Sequence, residues 1–264
     1  MKTLGSVLPA VVLDWAGTTL DHGSLAPVVA LQRVLAHHGF SVSAAEARRG
    51  MGLAKKDHLR TLLASYGAAD ATDELYPELE QALFAELEPH ATLIAGTLEF
   101  VAWLREAGVR IGTTTGYTSA MMRVVAAAAA RQGYRPDFIV TPDDVGAGRP
   151  SAAMMRANVE RLGLEPKAAL VKIGDTPADI AEGRAAGAWT IGVAATGNAL
   201  GLSVAETAAL PFNERLARFA AARQSLQAAG ADYVVEAIGD CGPTMQEIFA
   251  RVQRGERAGA AARS

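Results

Sequence analysis

With 264 residues, half of them hydrophobic and a fifth charged, the chain can build one large domain, or a domain with an insert, around a substantial core. Its formal charge of −3 carries no footprint for nucleic acid or an anionic membrane, and no stretch approaches the roughly 20 apolar residues of a membrane span. The single cysteine, Cys241, excludes an intrachain disulfide framework, and without a leader-like N-terminus the expected compartment is the cytoplasm.

The first predicted strand, residues 10–14 (AVVLD), ends in Asp14 and turns through Gly17 into Thr18 and Thr19. From residue 24 to 91 only helical patterns follow: APVVALQRVLAHHG, SAAEARRGMGLAKKDHLRTLLASYG and DELYPELEQALFAELEPH. A crossover needs little more than a dozen residues, so this segment is expected to be a small α-helical cap, with 1–23 and 92–264 forming the core. Such a lid would keep water from whatever happens at Asp14.

Beyond the cap, predicted strands at 109–115, 137–141, 170–175, 189–194 and 232–236 alternate with helical stretches at 97–108, 119–133, 152–163 and 179–187. This alternation predicts an α/β fold, a doubly wound, Rossmann-like parallel sheet covered on both faces. Ligands in such folds sit beyond the carboxyl ends of the strands. Asp14, Thr115, Asp143 with Asp144, and Asp175 all fall there. Each alone reads as well as a helix cap or turn residue, and Asp143 and Asp144 read best as shaping their loop. Four strands delivering polar groups to one edge nonetheless point to a site. Only five of the 25 basic residues are lysines (Lys2, Lys55, Lys56, Lys167 and Lys172), so a lysine retained here is more often one that chemistry requires. The small, charged tail from Arg254 is expected to fray.

DWAGTT, TTTGYT, DDVGAGRP and GDTPADIAEGRAAG resemble the motifs of the haloacid dehalogenase superfamily of aspartate-nucleophile hydrolases. The segment MGLAKKDHLR sharpens the resemblance to the phosphonoacetaldehyde hydrolase (phosphonatase) family. The resemblance implies that Asp14 attacks phosphorus and that Asp14, the Ala16 carbonyl and Asp175 bind Mg²⁺, supported by Asp179. It implies that Thr115, the Gly116 amide and Arg149 hold the phosphoryl group, and that Lys55 forms an imine with the substrate aldehyde. Met51, His58 and Tyr117 match positions lining the site. The implied substrate is a small phosphonate and the implied assembly a homodimer, for which SLAPVVALQRVL is apolar enough. That same stripe could equally be the core of the cap. Between Arg60 and Ile94 the cap is shorter than in typical members of the family.

The chemistry independently wants these residue types. A carboxylate is a weak nucleophile toward a phosphonate dianion, and a divalent cation bound to both lowers the repulsion. Many relatives carry a second acid two positions after the nucleophile to protonate an alkoxide, and here that position is Ala16. Cleaving a carbon–phosphorus bond leaves a carbanion instead, and a lysine imine takes those electrons where an oxygen acid cannot. Lys55 beside Lys56 reads alternatively as a solvated helix face, with the neighbouring ammonium helping to neutralise the amine if Lys55 is reactive. His58 lies three residues on, on the face of Lys55, where it would shuttle protons or simply fill the cap. The alternative activity is that of a phosphatase acting on an ester or another phosphonate, with Lys55 only binding; a ligand-binding relative without activity is a third reading.

Overall fold

The computed structural model describes residues 4–165 and 168–259. Six parallel strands, β1 (Ala10–Leu13), β2 (Arg110–Thr114), β3 (Phe138–Val140), β4 (Leu170–Gly174), β5 (Trp189–Val193) and β6 (Tyr233–Val235), run in the order β3-β2-β1-β4-β5-β6. All six occupy predicted stretches. The edge strands β3 and β6 shrink to three residues each, because each has a partner on one side only, and short edges discourage pairing with another chain.

The strand order reverses between β1 and β4, the two neighbours at the centre of the sheet. Both are buried on both faces, which explains their apolar runs, interrupted only by Lys172 in β4. Val11 and Leu13 pack on one side in the cluster that holds Met121, Val125 and Met245. Ala10 and Val12 pack on the other with Met155 and Leu162. The helices Ser119–Arg131 and Cys241–Gln253 thus cover one face and Ala153–Arg161 the other. The loops after β1 and β4 open into the crevice where the chain order switches, the usual ligand position in such sheets.

Residues 203–228, for which no element was predicted, form two helices, Val204–Ala209 and Phe212–Ala228. The tail is more firmly held than expected as far as it is described. The Gly259 amide donates to Asp232 Oδ1 at 2.9 Å and Arg251 pairs with Glu256 at 2.7 Å; residues 260–264 lie outside the described residues. Among the described residues no helix is long and apolar enough to cross a membrane.

Between β1 and β2 stand the helices Leu25–His37, Ala44–Ala47, Lys55–Ala64 and Thr72–His90. Leu75, Leu79, Leu83 and Leu87 form an i, i+4 stripe on the last of these, and Val28, Leu31, Val34 and Leu35 are buried on the first. These two helices pack on each other, so the apolar stripe of Leu25–His37 is filled by the cap's own core. The predicted helical run 43–67 is broken at residues 48–54, where Gly50 and Gly52 take φ of +81° and +90°, values that end a helix. The interruption is one of the places where the cap touches the core; the helix Thr72–His90 also packs on Ser119–Arg131. Arg48 Nη1 donates to the carbonyl of Gly23 at 2.7 Å, and its Nη2 to that of Gly201 at 2.8 Å.

Candidate active site

The turn after β1 sets the geometry. Thr19 Oγ1 donates to the carbonyl of Asp14 at 3.1 Å and Thr18 Oγ1 to Asp175 Oδ1 at 3.2 Å, so the paired threonines brace the backbone of one aspartate and the carboxylate of the other. Gly17 sits at φ +82°, and a Cβ there would lie 2.3 Å from Asp175 Oδ2. Only glycine lets the turn pass that close to a carboxylate. The other Asp175 partners are the amide of Asn198 at 2.7 Å and Ser24 Oγ at 3.3 Å, both to Oδ2. Ser24 is itself buried at φ +50°, a costly conformation for a residue with a side chain.

Asp14, Asp175 and Asp179 are buried, and each offers a ligand atom within 4.8 Å of the others. Burial, with Asp179 adding, pushes the Asp14 carboxyl above its ordinary range. Burial, then Asp14 and Asp179, push Asp175 well above it. Asp179 goes the other way: burial alone would raise it, but Arg149 and Lys172 outweigh that and hold it low. Arg149 Nη2 lies 2.6 Å from Asp14 Oδ1 and 3.0 Å from Asp179 Oδ1, while its Nε lies 3.0 Å from Glu182 Oε2. Lys172 Nζ lies 2.9 Å from Asp179 Oδ1 and 3.3 Å from Glu182 Oε2. Ionised, the four acids exceed Arg149 and Lys172 by two charges (four minus two). A divalent cation fits that deficit and the all-oxygen donor set, and it would relieve the repulsion that raises Asp14 and Asp175.

A small cavity beside Asp14 is lined by Ala16, Met51, Lys55, Thr115, Gly116, Tyr117 and Arg149. Core and cap both contribute to its wall, and the seam is tight: a Cβ on Gly116 would stand 2.2 Å from the Leu53 carbonyl. Thr115 Oγ1 accepts from the Tyr117 amide at 3.1 Å. Lys55, 6% exposed, places Nζ 4.7 Å from the centroid of the Tyr117 ring. Burial, with the Arg149 charge adding and Asp14 opposing, pushes its amine down to about 8. Lys56 is half exposed and paired with Asp73 at 2.6 Å. The depression of Lys55 thus comes from burial, not from the adjacent ammonium, which was the expected cause.

His58 is buried but is not among the cavity-lining residues. Its Nε2 donates to the carbonyl of Ala47 at 2.9 Å, and burial followed by the Lys55 charge pushes the ring down to about 3. It stays neutral, in a position that favours packing over proton shuttling. Asp143 and Asp144 shape the loop leading to Arg149: Asp143 accepts from the Ser119 amide at 2.7 Å, and Asp144 from the Thr141 amide at 2.8 Å and from Arg161 at 2.9 Å.

Sequence reasoning passed over Lys172, Glu182, Thr114 and Ser24. Lys172 carried a readable signal, as a scarce lysine inside an otherwise apolar strand. Glu182 follows Asp179 by three residues on Pro177–Ala185 and so shares its face. Ser24 and Asn198 sit in loops where nothing in the residue pattern marks them.

A buried aspartate ending β1, opposed by carboxylates from the end of β4 and under a helical cap, defines a haloacid dehalogenase-like hydrolase, and the family of that description matches residues 8–187. The phosphonoacetaldehyde hydrolase of Nitratidesulfovibrio vulgaris is 42% identical over 260 residues, covering 94% of this chain and 93% of its own. That of Bacillus anthracis is 42% identical over 263 residues, covering 95% and 97%. The crystal structure of a phosphonoacetaldehyde hydrolase-like protein from Oleispira antarctica superposes with a TM-score of 0.91 at 34% identity, covering 97% of this chain and 98% of that one. The chain belongs to the phosphonoacetaldehyde hydrolase family.

Proposed function

We propose that this enzyme hydrolyses the carbon–phosphorus bond of phosphonoacetaldehyde, yielding acetaldehyde and phosphate. The observation that carries this reading is a buried primary amine, Lys55, sharing one small cavity with the Asp14 carboxylate, with Ala16 where an acid would serve an ester. The neutral amine of Lys55 adds to the aldehyde carbon and loses water, giving a protonated imine. Asp14 attacks phosphorus, and the electrons of the breaking bond flow into the imine as an enamine. Protonation at carbon and hydrolysis of the resulting imine release acetaldehyde and restore Lys55. A second water cleaves the aspartyl-phosphate on Asp14, so the net reaction consumes one water. Arg149, Thr115 and the Gly116 amide orient the phosphoryl oxygens and stabilise the charge that spreads over them. The carboxylates of Asp14 and Asp175 with the Ala16 carbonyl would hold Mg²⁺, supported by Asp179, and its charge would offset the repulsion between carboxylate and phosphonate.

The test is acetaldehyde release in the presence of Mg²⁺, comparing wild type with Lys55→Arg. Robust release that Lys55→Arg abolishes supports the imine, since a guanidinium cannot form one. Release that survives in Lys55→Arg overturns that role and moves the imine to another amine, Lys56 being the next candidate, whereas no release from folded wild type turns the reading to a phosphatase in which Lys55 only binds. The homodimer implied by the family resemblance belongs to the same proposal, and light scattering at the mass of a single chain would remove it.

A further inference from the structure

Lys172 and Glu182 are fully buried, and the proposed reaction gives neither a task. A lysine and a glutamate between sheet and helix are costly to desolvate, and apolar residues of similar size would usually pack there at no loss of stability. Lys172 Nζ pairs with Asp179 Oδ1 at 2.9 Å, and the remaining contacts of the two residues converge on one atom. Glu182 Oε2 accepts from Thr114 Oγ1 at 2.8 Å and from Arg149 Nε at 3.0 Å, with Lys172 Nζ at 3.3 Å. Thr114 Oγ1 in turn accepts from Lys172 Nζ at 2.7 Å and Arg149 Nη2 at 2.9 Å. The guanidinium is therefore held at Nε by Glu182 and at Nη2 by Thr114 and by Asp179 Oδ1 at 3.0 Å. What remains faces the cavity: Nη2 toward Asp14 Oδ1 at 2.6 Å, and Nη1 with only the Gly52 carbonyl at 3.4 Å.

Resting on the reading above, we propose that Glu182 is a positioning residue for the phosphorus half of the reaction. Braced by Lys172 and Thr114, it fixes the plane of Arg149 so that both terminal nitrogens meet the phosphoryl oxygens. A planar donor fork is useful only when its plane is set, and a donor that drifts by about an ångström costs roughly a hundredfold. Lys55 stands on the cap side of the cavity with its amine over the Tyr117 ring, and the Arg149 charge that helps lower that amine is kept when Glu182 is replaced, so imine formation is expected to change little.

The experiment separates the two halves in the Mg²⁺-loaded enzyme with phosphonoacetaldehyde. Imine formation is read as the borohydride-trapped adduct on Lys55, and phosphoryl transfer as phosphate release. In Glu182→Gln the kcat for phosphate release is expected to fall about 30- to 100-fold with KM little changed, by analogy with loss of a preorganised donor, while trapping stays within about threefold of wild type. The near-isosteric Thr114→Val, which removes the relaying hydroxyl, is expected to show the same split and decides the matter if Glu182→Gln does not fold. Trapping and release falling together in both variants, or release unchanged, overturns the proposal. If wild type releases phosphate but traps nothing on Lys55, the imine reading has failed instead. Positioning by Glu182 is then judged on phosphate release alone, where an unchanged kcat overturns it.

Discussion

Replacing Lys55 with methionine should make the protein more stable, and the gain should depend on pH. In the folded chain burial holds this amine down to about 8, against an ordinary value of 10.5. Between those values the unfolded chain binds more protons than the folded one, so the Lys55 contribution to stability rises with pH. At one pH unit per about 1.4 kcal/mol, keeping the charged amine buried costs about 3 kcal/mol near pH 7. Near pH 9.5 the folded amine is mostly neutral and the cost falls to about 1.5 kcal/mol. Losing the ammonium's contact with the Tyr117 face offsets part of the gain, by about 1 kcal/mol. Urea unfolding of metal-free wild type and Lys55→Met at the two pH values measures the difference, in which the groups that do not interact with Lys55 cancel. The variant's advantage should shrink by about 2 kcal/mol on going to the higher pH. An advantage that stays constant or grows would refute the claim that burial depresses this amine.

Gly17→Ala should lose at least about 2 kcal/mol of stability and most activity, because its Cβ meets Asp175 Oδ2 at a positive φ; denaturant melts and acetaldehyde assays read both. Gly116→Ala should leave the core's stability intact while unseating the cap, since the new methyl collides with the Leu53 carbonyl. Faster limited proteolysis at residues 48–54 with unchanged core melting would bear this out. Mg²⁺ at a hundredfold excess over its Kd should stabilise the wild type by about 2.7 kcal/mol relative to chelator. Asp175→Asn should abolish that shift while raising metal-free stability, because it removes a carboxylate whose charge is buried beside two others. Thermal melts with and without the ion check both halves.

The sheet was legible because a strand buried on both faces has to be written mostly in apolar residues, as AVVL is throughout and LVKIG is apart from Lys172. The helices between β1 and β2 were legible from the length of that segment and its helical periodicity. What escaped was set by long-range packing. Glycines at 50 and 52 were visible in a run that otherwise looked helical, but only the approach of the core explains why the chain bends there. Asp14 and Asp175 announced themselves at strand ends, whereas Ser24 and Asn198 meet Asp175 from loops distant in sequence. The cause assigned to the neutral amine also failed for a spatial reason. Adjacency in sequence suggested that Lys56 presses on Lys55, yet a helix sends neighbours about 100° apart, and Lys56 ends on Asp73 in solvent.

The two chain segments that enter and leave the cap are stitched to each other. The Asp21 amide donates to the Thr92 carbonyl at 3.1 Å, and the Ile94 amide to that of Thr19 at 2.9 Å. The chain thus departs from the sheet and returns to it at nearly the same point. To the core, everything between is a single loop, and the closure cost of a loop grows only slowly with its length. A module mounted this way can be trimmed, extended or exchanged over evolutionary time while the catalytic sheet keeps its register. Such a mounting leaves room for a shortened cap, provided the few residues of the 48–54 turn still reach down to the nucleophile.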